Sequence, residues 1–186
     1  MSAKEIRTLG VLAEVGLPRV AAIGATVLLA LTVQTTVLAR VTLLGVIPQL
    51  VLVVVVILAY LDGENVGMAT GFAGGMLQDL LLPPGAITGL YALVYTLVGY
   101  GVGVLRQFAP SESVWTPVLT VALASAVVEV SYSLLAIMLG QQWISITDTV
   151  RVVGLVVLYN TLLTPFVFPL VKRVADRFRP ERVHRW

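Results

Sequence analysis

The sequence predicts an all-α membrane protein, a polytopic bundle of about six transmembrane helices, and three observations carry that expectation. Apolar residues make up 58% of the 186-residue chain and charged residues 12%, at a mean hydropathy of +0.97, whereas a soluble domain is about one quarter charged. Uncharged runs approaching the ~20 residues that cross ~30 Å of hydrocarbon recur along the chain. The runs are continuous rather than alternating. They therefore read as helices, which satisfy their backbone hydrogen bonds internally, and not as strands of a membrane barrel.

The elements follow in order. Residues 1–19, MSAKEIRTLGVLAEVGLPR, form an N-terminal arm whose apolar patch, Leu9 to Ala13, is too brief for a cleaved signal peptide. Ile6, Leu9, Ala13 and Leu17 fall at helical spacing, which leaves two readings of the arm open: an amphipathic helix on the membrane surface, or a frayed terminus. The membrane domain is 20–171, with segments at 20–39, 46–61, 66–82, 87–105, 115–139 and 152–171. The second and third are short and separated only by Asp62-Gly-Glu-Asn65, which leaves tilted, broken or re-entrant forms open and makes five crossings the fallback. Pro48 suits the first turn of the second segment, whereas Pro165 and Pro169 are expected to kink the sixth or expose carbonyls near Asn160. Residues 172–186 form a basic tail.

Basic residues give the orientation, because Lys and Arg near membrane ends stay on the cytoplasmic side. Lys4, Arg7 and Arg19 precede the first segment, Arg106 lies between the fourth and fifth, and Lys172, Arg173, Arg177, Arg179, Arg182 and Arg185 follow the sixth. Only Arg40 and Arg151 fall opposite. Both termini are then cytoplasmic, and the tail enforces that topology or meets anionic lipid.

The inventory argues against several chemistries. There is no cysteine, and the single histidine, His184, stands near the chain's end. Thiolate or histidine metal sites, disulfides and a Ser-His-Asp triad are not expected. No catalytic residue, metal, cofactor or nucleic-acid partner is expected.

Two patterns stand out. Gly67, Gly71, Gly75 and Asp79 recur every four residues and form one helical stripe, and Gly89, Ala92, Thr96, Gly99 and Gly103 form another in the fourth segment. Stripes without side chains let backbones approach closely, so the two helices are expected to pack on each other, with a homodimer interface as the alternative. The second pattern is intramembrane charge. Asp79 and Glu129 fall at similar depth, where an unpaired carboxylate costs several kcal/mol. Both are expected to turn inward, within reach of Arg151, Arg40, Gln34, Gln49, Asn160 or Tyr91. A polar pocket of Asp79, Glu129, Arg151, Gln34 and Asn160, or a structural polar cluster, would result.

The ordered stretches QTTVLARVTLLGVIPQLVLVVVV (34–56), GFAGGMLQDLLLPPGAITGLYALVYTLVGYGVGVL (71–105) and YNTLLTPFVFPLV (159–171) resemble the rod shape-determining MreD family of bacteria. Gly-Phe-x-x-Gly before Gln-Asp-Leu, and Gly-Leu-x-Ala-Leu-x-Tyr, carry the likeness; the fifth segment with Glu129 matches less clearly. The resemblance implies a non-enzymatic subunit of the cell-wall elongation machinery in the cytoplasmic membrane. Its implied partner is the membrane helix of MreC, with the class B transpeptidase, the SEDS glycosyltransferase and MreB reached indirectly. It also implies a likeness to the S components of energy-coupling-factor transporters, six-helix proteins with an outward-facing pocket. Two readings follow: a scaffold whose exposed apolar groove receives the MreC helix, and a transporter subunit that binds a small solute or lipid between the acids.

Overall fold

The computed structural model describes residues 16–40, 42, 45–82, 86–108, 115–140 and 146–178. Most of the expected surface arm, Pro83 to Gly85 and the end of the basic tail lie outside them.

Every element is helical: α1 Leu17–Thr36, α2 Leu50–Asp62, α3 Glu64–Asp79, α4 Leu90–Leu105, α5 Trp115–Met138 and α6 Ile146–Arg177, with 3-10 turns at Leu38–Arg40 and Arg106–Phe108. Six helices are thus present among the described residues, in the expected order. Three stretches, Leu17–Arg40, Trp115–Met138 and Thr149–Arg177, are long and apolar enough to cross a membrane by length and composition. The others have 13, 16 and 16 residues, about 20 to 24 Å of helix against ~30 Å of hydrocarbon. The fourth segment is therefore short as well. Apolar residues expected inside the third and fourth segments lie in turns: α3 stops at Asp79, and α4 starts only after Gly89, whose φ of +101° favours glycine.

The shortest helix stands in the middle. Every residue of α2 from Leu50 to Ala59 is buried, and α2 touches each of the other five helices. A helix apolar on all sides belongs inside a bundle. Its valine-rich run favours strands in water, so burial rather than propensity accounts for the helix. Pro48 precedes this helix by two residues, with Gln49 as its N-cap.

The α2 to α3 connection is a single residue. Gly63 ends one helix and begins the next with φ +98°, and a Cβ there would stand 2.9 Å from Nη2 of Arg106. At this end of the bundle, Arg19 of α1 pairs with Asp62 of α2 at 2.6 Å, and Arg106 Nη1 donates to the Leu61 carbonyl at 2.9 Å.

Helix α6 continues through both prolines to Arg177, beyond the membrane segment read from the sequence. In the turn before Pro165, the hydroxyls of Thr161 and Thr164 donate to the carbonyls of Val157 and Asn160, 2.6 and 2.7 Å away. The carbonyls that the two prolines deprive of an N–H partner are different ones, those of Thr161 and Pro165, four residues before each proline.

Candidate functional site

A helix that begins inside apolar surroundings leaves its first N–H groups without partners. Two of the short helices face that problem at the end opposite Arg19, and side chains from other helices meet it. Asp79, 2% exposed, accepts the Tyr91 and Ala92 N–H groups on its two carboxylate oxygens at 3.1 and 2.9 Å. The last residue of α3 thus caps the first turn of α4, where negative charge is also favoured by the helix dipole.

The start of α2 is held similarly. Asn160 Oδ1, from α6, accepts the Gln49 N–H, and Gln34 Oε1, from α1, accepts the Val51 N–H, each at 3.0 Å. Their other ends are also occupied. Gln34 Nε2 donates to Gln78 Oε1 on α3 at 3.0 Å, and Asn160 Nδ2 donates to the Ser125 hydroxyl on α5 at 2.9 Å.

Glu129 joins this layer through Gln49, whose Nε2 donates to its carboxylate, while the Tyr95 hydroxyl donates to Gln49 Oε1 at 3.2 Å. The Tyr91 ring stacks on Tyr132 at 4.2 Å and meets Tyr95 edge-on at 5.5 Å. The two acids therefore stand at one end of the bundle with tyrosines around them and no bond between them, and both are met by neutral groups. Arg40 and Arg151 are exposed.

The glycine stripes face each other. A Cβ built at Gly67, Gly71 or Gly75 would collide with the α4 backbone at Gly99, Tyr95 and Tyr91-Ala92 respectively, and one at Gly99 or Gly103 with the backbone at Gly67 and Glu64. Five residues thus let α3 and α4 pack main chain on main chain. Gly74 points elsewhere, towards Val51 and Val55 of α2.

Ser125, Gln78, Tyr95 and Tyr132 were not assigned to the site from the sequence. Ser125 lies one turn before Glu129 and Tyr95 one turn after Tyr91, so i, i+4 spacing was an available signal. The Arg19 to Asp62 pair was missed because Arg19 was read only for topology and Asp62 only as part of a connector.

Together these features define a multi-pass α-helical membrane protein whose described intramembrane polar side chains cap and cross-link its own helices. No histidine, cysteine, aspartate or glutamate cluster among the described residues could hold a metal. The chain belongs to the rod shape-determining protein MreD family, whose family model matches residues 19–174. Members are non-enzymatic proteins of cell-shape determination, and membership implies association with the elongation machinery. No curated protein and no solved structure matches the chain.

Proposed function

We propose that the protein is a scaffold subunit of the bacterial cell-wall elongation machinery which binds the membrane helix of MreC, and through it serves the class B transpeptidase, the SEDS glycosyltransferase and MreB. It lies in the cytoplasmic membrane with both termini cytoplasmic, as the distribution of Lys and Arg favours.

One observation carries this reading over a solute carrier: the side chains of the candidate pocket are engaged within the chain. Both oxygens of Asp79, both ends of Gln34 and both ends of Asn160 have intramolecular partners. A polar solute would have to break bonds that hold helix starts, each about 1 to 3 kcal/mol if left unmade. Groups committed in this way favour a stable body that presents its outer faces to other membrane helices.

Co-purification tests the assignment. MreC should be retained at unit stoichiometry by the wild type, by Asp79→Asn and by Glu129→Gln. A stoichiometric small molecule leaving with either substitution, while MreC stays bound, would establish the carrier instead.

A further inference from the structure

Helices α4 and α5 meet at the Tyr91 to Tyr132 stack and part towards the Arg19 end, where they leave an open groove with a cavity volume of about 740 Å³. Its wall on α5 runs from Thr120 to Leu135, about 22 Å of helix. The lining is apolar: Val94 and Leu97 on α4 and Leu123 and Val127 on α5 are typical, with Tyr60 of α2 behind them. Gly101 opens the middle, because a Cβ there meets nothing within 4 Å. Arg106 lines the groove at the Arg19 end.

Two magnitudes narrow the occupant. Between atom surfaces the groove is roughly 9 Å across along its length, a little under the ~10–12 Å of a helix with its side chains. A partner helix would rest on the rim without filling the groove. A hydrocarbon chain fits inside it, and the length covers the ~15 Å of one leaflet.

Charge fixes the other end of the ligand. Asp62 pairs with Arg19, whereas Arg106 meets, among the described residues, a neutral carbonyl with one of its five N–H groups. A half-buried guanidinium beside an apolar groove complements a molecule with an anionic head and a hydrocarbon tail. Guanidinium matches phosphate oxygens in pairs.

We propose that the groove between α4 and α5 binds one anionic phospholipid from the leaflet at the Arg19 end, its phosphate on Arg106 and one acyl chain lying over Gly101. The site is independent of the scaffold assignment. It makes a lipid part of the bundle where α4 and α5 diverge.

Native mass spectrometry of the purified chain titrated with phosphatidylglycerol tests this. The wild type should retain one phosphatidylglycerol, and Arg106→Gln should weaken retention about tenfold, the scale of a lost charge-assisted contact. Arg106→Lys should recover part of it. Because Arg106 also holds the Leu61 carbonyl, the decisive variant is Gly101→Leu, whose side chain enters open space. It should keep the melting temperature of the lipid-free chain and lose the lipid. Undiminished phosphatidylglycerol binding by Gly101→Leu overturns the proposal. So does equal competition by inorganic phosphate, which would reduce the site to a headgroup contact, or loss of MreC from Gly101→Leu with lipid retention unchanged, which would give the groove to a helix.

Discussion

Gly71 and Gly75 interact by having no side chain. Each faces a carbonyl of α4 at a separation that admits no Cβ, so Gly71→Leu or Gly75→Leu must push two helices apart. Overpacking costs about 1 to 3 kcal/mol, and more where main chain is the obstacle. Glu129→Gln keeps the shape of the side chain and its neighbour Gln49, and should cost less. Melting in detergent is expected to rank the glycine variants below the neutralised acid, and the reverse order would contradict main-chain packing as the dominant contact. Asp79 offers a sharper comparison. Asp79→Ala strips two buried N–H groups of their acceptors, an expected loss of about 2 kcal/mol or more, whereas Asp79→Asn keeps one acceptor oxygen and should fall between. An alanine variant that melts like the wild type would exclude the capping role.

At the scale of elements, α2 is a helix too short to cross and too buried to meet water, so its start depends on its neighbours. Asn160→Leu keeps the branching of the side chain while removing the acceptor of the Gln49 N–H and the donor to Ser125. Hydrogen exchange is expected to quicken at Gln49 and the first turn of α2, with the centre at Val54 to Ile57 unchanged; uniform protection would show that α2 does not rely on α6. This dependence also explains what the sequence disclosed. Helix number and order were legible because apolar runs record which stretches avoid water, and the inward turn of Asp79 and Glu129 was legible because lipid penalises charge. The partners were not. Gln49 was one of several polar residues at suitable depth, and only the bundle's packing brings it between Glu129, Tyr95 and Asn160. The end of α3 was misplaced by three residues because Leu80 to Leu82 are as apolar as a membrane helix, although they lie in the turn that presents Asp79 to α4.

At the scale of the molecule, the two ends are held by different physics. At the Asp79 end two carboxylates are met by backbone N–H groups and a side-chain amide, whereas at the Arg19 end a carboxylate is met by a guanidinium. The absence of cysteine makes topology directly testable. Single cysteines placed within 109–114 and 141–145 should be labelled from the cytoplasmic and external sides respectively, and the opposite pattern would invert the proposed orientation. The ion pair provides the more demanding test. Arg19 and Asp62 approach to 2.6 Å with side chains 12% and 1% exposed, so the pair is largely desolvated and joins α1 to the base of the central helix. Losing one member of such a pair costs about 3 kcal/mol, because the other charge keeps its burial and loses this contact, while replacing both with apolar residues is often neutral. Arg19→Leu and Asp62→Leu are therefore each expected to lower the melting temperature substantially. The double variant should recover most of the loss, with a coupling energy well outside the scatter of independent sites. Additive losses would mean that Arg19 and Asp62 act through separate neighbours, and α1 would then be held by its apolar face and by Gln34 alone.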